Sequence, residues 1–264
     1  MRIFKRKLYE KLLDWKNNRS GRTAVLIEGA RRVGKSTLAR QFAQNEYESY
    51  VMIDFSIVKK DILELFDSIA DLDYFFLQLQ FRLGVSLKER KSLIIFDEVQ
   101  MCPKARQAIK HLVADGRYDY IETGSLISIR KNVKDIVIPS EEEKMVLHPL
   151  DYEEFKWALG DTTTIAQMRM IFEKRLSMGD AVTRKLMRDF RLYMAVGGMP
   201  QAVCEYLETN NLMEVDRVKR GIIQLYEDDF YRIDQSGRIS MLFDAIPAQL
   251  SSNASRFQVA SALG

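Results

Sequence analysis

Gly29, Gly34, Lys35 and Ser36 fill the pattern GxxxxGK[ST] inside IEGARRVGKST, residues 27–37. A glycine-rich loop of that spacing turns its backbone N–H groups inward on an anion, and a following helix adds roughly half a positive charge from its dipole. The chemistry it suits is the binding of a phosphate chain. Lys35 would reach the β- and γ-phosphates, and the Ser36 hydroxyl would join a Mg2+ shell otherwise filled by water, phosphate and a carboxylate. The nucleotide-binding candidates are therefore Gly29, Ala30, Arg31, Arg32, Val33, Gly34, Lys35, Ser36 and Thr37.

Two further groups complete a reacting set. The run SLIIFDE, residues 92–98, is an apolar strand that ends in two acids. Asp97 is placed to hold the magnesium and its water shell, with Ser36 as the other metal candidate, and Glu98 to orient or deprotonate an attacking water. Without Glu98 the site would bind nucleotide but have no evident base. Thr123 and Ser125, at the tip of YIETGS, end the next strand on the same rim. Two readings of Thr123 stand side by side: a hydroxyl contacting the γ-phosphate or the water, and a strand-end hydroxyl satisfying local backbone.

These residues need a parallel sheet to bring them together. The apolar run at 24–27 precedes the loop, and Leu38, Ala39 and Phe42 follow at helical spacing, so the loop joins a buried strand to a helix running to Gln44. Residues 50–55, 92–98, 120–125 and 145–148 read as four more strands, with helical stretches at 60–83 and from Pro103 to Val113 between them. Strands alternating with helical crossovers predict an α/β fold whose parallel sheet carries helices on both faces and binds ligand beyond the strands' carboxyl ends. Ahead of the sheet, Ile3, Phe4, Leu8, Leu12 and Trp15 recur as in an amphipathic helix. Its cations, Arg2, Lys5, Arg6, Lys7, Lys11, Lys16, Arg19 and Arg22, meet only Glu10 and Asp14, which reads as a solvated face.

Beyond residue 150 everything reads helical. Asp151 with Glu154 makes a capping box before Phe155, Trp157 and Leu159, and residues 160–164 are the domain boundary candidate. Helices are expected over residues 165–177, 180–195, 200–209, 212–231 and 238–252.

Composition narrows the classes. With 264 residues and 47% hydrophobic content the chain can build a sizeable core in two unequal parts. A net charge of +3 is too small to indicate nucleic acid by itself. Cys102 and Cys204 form no CxxC, and neither His111 nor His148 has companion ligands, so no zinc site or disulfide framework is expected. No apolar run approaches the length of a membrane span, and a reducing cytoplasm is the expected setting. Asn132, Lys134 and Asp135 have the wrong spacing for guanine recognition, and the sequence shows no acceptor-site or lid arginine cluster of the kind a small-molecule kinase needs.

Taken together, GARRVGKS, LIIFDEVQ, YIETGSL, LHPLDYEEFKWAL and YMAVGGMPQAV resemble the prokaryotic AAA+-type ATP-binding protein family over essentially the whole chain. The resemblance implies a P-loop NTPase core with strand order 5-1-4-3-2 and an all-helical lid. It implies Gly29, Gly34, Lys35 and Ser36 as Walker A, Asp97 and Glu98 as Walker B, and Thr123 to Ser125 in the sensor-1 region. Gly198, Met199 and Pro200 resemble the GxP element of related signalling ATPases, whose proline packs against adenine. The plain alternative for Pro200 is a first-turn proline after a Gly-Gly stop.

On this basis residues 1–160 are expected to form the ATPase core. Residues 161–264 would form a lid and the start of a winged-helix-like segment at 239–263, with a carboxy-terminal, nuclease-like region lacking. No Gly-Arg pair precedes the fifth strand, where IPSEEEKMVLHPL stands instead, so an arginine role there does not transfer. The expected activity is Mg2+-dependent ATP hydrolysis, with ATP and ADP as ligands, coupled to core and lid conformation. Self-association would supply a trans arginine, for which Arg130, Lys131, Arg232 and Arg238 are candidates. The competing class is a nucleotide-dependent switch with little turnover that docks DNA or a protein partner.

Overall fold

The computed structural model describes residues 2–125 and 140–251, together with 256, 257 and 259. Arg130, Lys131 and the Asn132–Asp135 stretch lie outside the described residues, as does part of the 239–263 segment.

A five-stranded sheet in the order β2-β3-β4-β1-β5 forms the centre, which is the expected 5-1-4-3-2 read from the other edge. Its strands are β1 (Ala24–Gly29), β2 (Ser49–Asp54), β3 (Ser92–Asp97), β4 (Asp119–Ser125) and β5 (Glu142–Leu147). Every pairing is parallel. β1 sits between β4 and β5, with Ile27 opposite both Thr123 and Met145, so the loop leaving β1 emerges beside the ends of both neighbours.

The apolar runs of β1 and β3 are continuous because both faces of the sheet are covered. Ala24, Leu26, Ile94 and Phe96 face one core with Phe75, Phe76 and Leu79 of α4 (Leu72–Leu83) and Ile109 and Leu112 of α5 (Pro103–Asp115). Val25, Ile27, Leu93 and Ile95 face the other, with Leu8, Leu12 and Trp15 of α1 (Lys7–Arg19) and Leu38 and Phe42 of α2 (Lys35–Glu46). Each large apolar side chain fully buried here contributes about 1.5–3 kcal/mol. The expected helix over 60–83 is interrupted: α3 (Lys60–Leu65) passes through a 3-10 turn at Phe66–Ser68, and α4 starts afresh where Asp71 accepts the Tyr74 N–H. The first helix starts at Lys7. Arg6 ahead of it is extended, so Ile3 and Phe4 belong to a leading strap and not to α1.

After β5 the chain is helical, in α6 (Tyr152–Ala158), α7 (Thr164–Glu173), α8 (Gly179–Val196), α9 (Pro200–Thr209), α10 (Leu212–Ile233), α11 (Arg238–Asp244) and α12 (Ile246–Ser251). The predicted capping box is present: Asp151 accepts the Glu154 N–H, and Glu154 accepts the Asp151 N–H. Two compact units comprise Met1–Val203 and Cys204–Gly264, dividing within α9. Within the first, α6 rests on α8 through Tyr152, Phe155, Phe190 and Tyr193. Within the second, Tyr226 and Phe230 of α10 meet Phe243 of α11. Among the described residues no helix is long and apolar enough to cross a membrane.

Candidate nucleotide site

The loop from Gly29 to Ser36 is shaped by its neighbours before any ligand enters. A Cβ on Gly29 would lie 2.3 Å from the Leu147 carbonyl oxygen, so glycine here is required by the close approach of β5. Gly34 has φ +98°, in the left-handed region, and turns the chain into α2. The Lys35 ammonium folds back to donate to the carbonyls of Gly29 at 3.2 Å and Ala30 at 3.0 Å. Burial pulls its pKa down, the charges of Glu98 and Asp97 oppose that, and Arg31 adds to the lowering. A buried ammonium held by two loop carbonyls at the start of a helix is an arrangement whose chemistry suits a polyanion.

Strand ends supply the acids. Asp97 Oδ1 accepts the Ser36 hydroxyl at 2.7 Å and also the Thr123 hydroxyl. Thr123 Oγ1 in turn receives the Glu98 N–H at 3.4 Å. β3 stops at Asp97, and Glu98 takes a left-handed turn with φ 53°. The Glu98 carboxylate accepts the Gln100 side-chain N–H. The structure thus brings Lys35, Ser36, Asp97, Glu98 and Thr123 into one connected group.

Pro200 comes to the same loop. It lines a pocket with Arg2, Ile3, Phe4, Gly34, Thr37 and Gln41 whose empty space, open mouth included, is about 340 Å3. A Cβ on Gly34 would lie 3.8 Å from the Pro200 ring. The GGMP segment is seated by Gly198, whose carbonyl accepts the Leu150 N–H at 2.7 Å.

Arg6 is the residue that sequence reasoning missed. It is 6% exposed, which corrects the solvated reading of the basic amino terminus at this position. Its guanidinium donates to the carbonyls of Val33 at 3.0 Å and of His148, and Nε lies 3.3 Å from the Glu154 carboxylate. Glu154 also takes the Lys7 N–H at 2.7 Å while closing the capping box of α6. No local spacing announces these contacts, because Val33 and His148 are 27 and 142 residues away. Cys102 is buried and burial pushes its thiol up, consistent with a packed, unreactive side chain.

A family model described as an AAA domain matches residues 21–156, just over half of the chain's 264 residues. The chain belongs to this AAA domain family. The matched AAA region contains the loop, the acid strand, β4 and the α6 capping box, and begins after Arg6. A second family model, described as a domain of unknown function, matches residues 187–264. No curated protein matches the sequence.

Among solved structures, the Walker-type ATPase of Pyrococcus abyssi matches with TM-score 0.52 at 18% identity, over 91% of this chain and 79% of that one. A STAND signal-transduction ATPase with a tetratricopeptide repeat sensor from Pyrococcus horikoshii matches with TM-score 0.45 at 17% identity, over 92% of this chain and 37% of that one. The Aeropyrum pernix ORC1 protein, solved with DNA, matches with TM-score 0.43 at 11% identity, over 99% and 81%. At such identities the P. abyssi likeness is one of fold: an AAA-type P-loop NTPase sheet with flanking helices.

The residues present fit a magnesium–nucleotide pair. Ser36 and Asp97 offer adjacent hard oxygens, which suit Mg2+. No cluster of three or more metal-binding side chains exists among the described residues, so the ion would take its other ligands from phosphate and water.

Proposed function

We propose that this AAA protein binds ATP with Mg2+ and hydrolyses the γ-phosphate. The single observation that carries the reading is the bonding of Ser36 and Thr123 to one oxygen of Asp97, beside the Lys35 ammonium and the Glu98 carboxylate. Lys35 leaves its two loop carbonyls to pair with the β- and γ-phosphates. Ser36 and Asp97 would hold the metal, which would supply positive charge to the phosphate groups. Glu98 accepts a proton from the water whose oxygen attacks the γ-phosphorus, and the bridging oxygen departs with ADP. Thr123 holds Asp97 and the Glu98 backbone in place. The adenine ring is assigned to the pocket lined by Pro200, Ile3 and Phe4. Residues 1–160 act as core and 161–264 as lid, with nucleotide state setting the relation between them. A neighbour's arginine, and a cytoplasmic setting, belong to the same reading.

One observation favours a second reading, a nucleotide switch with little turnover: Glu98 is engaged by Gln100, so the base must be released before it can work. Multi-turnover phosphate release decides between them. Under the ATPase reading, Lys35→Ala loses nucleotide binding, and Glu98→Gln keeps binding while turnover falls about 100-fold or more. Equal turnover in Glu98→Gln and wild type would remove Glu98 from the mechanism. Bound nucleotide with no phosphate released by wild type would favour the switch.

A further inference from the structure

α8 carries a line of cations on its outer side. Arg184, Arg188 and Arg191 stand at i, i+4 and i+7, which places them on one face of the helix. All three are exposed, and the face lies opposite the buried Leu186 that seats α8 in its unit. None of the three makes a hydrogen bond or ion pair with any described residue. The acid on that face, Asp180 in the first turn, forms no ion pair with Arg184 four residues on. Elsewhere the chain pairs such cations: on α10, Arg217 meets Glu214 at 2.8 Å and Arg220 meets Asp216 at 2.7 Å. Lys185 and the Lys174–Arg175 pair after α7 are likewise exposed and without acidic partners.

We propose that the outer face of α8 binds the phosphodiester backbone of duplex DNA without sequence preference. Three arginines stand against one acid on this face, so the charge is in excess and is presented along one helix. From Arg184 to Arg191 the helix rises about 10 Å, close to three nucleotide steps of one strand. Guanidinium groups match phosphate geometry through paired N–H donors. The pattern does not suit a membrane surface, where an apolar stripe lies at the centre and cations flank it. Here arginines occupy the centre and the apolar Met187 and Met194 lie to one side, 45% and 59% exposed. The DNA face is independent of ATP hydrolysis and is tested without nucleotide.

The experiment is fluorescence anisotropy of a labelled duplex of mixed sequence with the full chain at several salt concentrations, repeated with the triple variant Arg184→Ala/Arg188→Ala/Arg191→Ala. Three phosphate contacts give a log–log slope of about −2.7, so affinity falls about 40-fold between 50 and 200 mM salt. The triple variant should lose that slope and the binding that goes with it. Should the triple variant fail to fold, the single changes Arg184→Gln, Arg188→Gln and Arg191→Gln should each make the slope shallower by about 0.9. No duplex binding at 50 mM salt overturns the proposal, as does a slope unchanged in the variants. Tighter arginine-dependent binding to phosphatidylserine vesicles or to polyglutamate than to duplex overturns it in favour of a membrane or an acidic protein.

Discussion

Arg6 Nη1 donates a 3.0 Å hydrogen bond to the Val33 carbonyl, tying the strap ahead of α1 to the crown of the phosphate loop. The same guanidinium lies 3.3 Å from Glu154, and both side chains are buried. Arg6→Ala would leave the Glu154 carboxylate buried and unpaired, a loss of about 3–5 kcal/mol. Arg6→Lys keeps the charge but cannot reach Val33, His148 and Glu154 together. Its expected effect is a folded protein with a lowered Tm and nucleotide affinity weakened about 10-fold. Thermal unfolding and nucleotide titration read these separately. A folded Arg6→Lys variant with wild-type affinity would show that the strap does not position the loop.

Thr123 joins both acids, donating to Asp97 and accepting from the Glu98 backbone. Thr123→Val keeps the shape and removes the hydroxyl, leaving the Glu98 N–H without this acceptor. Stability should fall by about 1–3 kcal/mol. Turnover should fall more than nucleotide affinity, because the acids are displaced while the loop is intact. Thr123→Ser should restore turnover. Equal losses in the serine and valine variants would point to packing and not to the hydroxyl.

Gly198 is needed for space. A Cβ there would lie 2.2 Å from the Leu150 carbonyl oxygen, a backbone atom that cannot step aside. Gly198→Ala should destabilise by about 1–3 kcal/mol and disturb the Pro200 side of the pocket. Gly221→Ala is the matched control, since it sits within α10 with nothing within 4 Å of its Cβ position. Alanine there should stabilise by about 0.5–1 kcal/mol. Chemical denaturation of both variants gives opposite signs if the packing is as described.

Glu122 introduces a pH dependence. It is buried on β4 beside Glu142, and burial together with the charge of Glu142 raises its pKa well above the usual carboxylate range. Arg106 opposes that shift and itself clasps Glu142 with two 3.0 Å bonds. The folded state therefore holds a proton that the unfolded chain releases near pH 4.5. Stability falls as pH rises from there towards the folded pKa, by at most about 1.4 kcal/mol per unit. Glu122→Gln mimics the protonated form and lacks this slope. Its stability relative to wild type should grow from pH 5 to pH 8, as measured by urea unfolding at each pH. A difference that stays constant with pH would show that Glu122 is ionised in the folded protein.

The sheet and the phosphate loop were legible because their signals are local. Continuous apolar runs in β1 and β3 demand cover on both faces, and the spacing from Gly29 to Gly34, Lys35 and Ser36, between an apolar run and a helical pattern, marks a strand-to-helix turn. Asp97 and Glu98 were readable as a pair, although their divergence was not: only the backbone shows β3 ending between them and Glu98 turning left-handed. Ile3 and Phe4 misled, since helical spacing continues into the strap while the helix begins only at Lys7. Sequence alone determined the residue types that can cradle phosphate and the order in which strands and helices alternate, because those follow from neighbours within one or two turns. Tertiary structure decided that Arg6 crosses to Val33 and Glu154, that Thr123 bridges the two acids, and that Pro200 stands against Gly34. Such contacts join residues tens to hundreds of positions apart, and burial sets their partners and their charge states in a way that spacing along a chain does not encode.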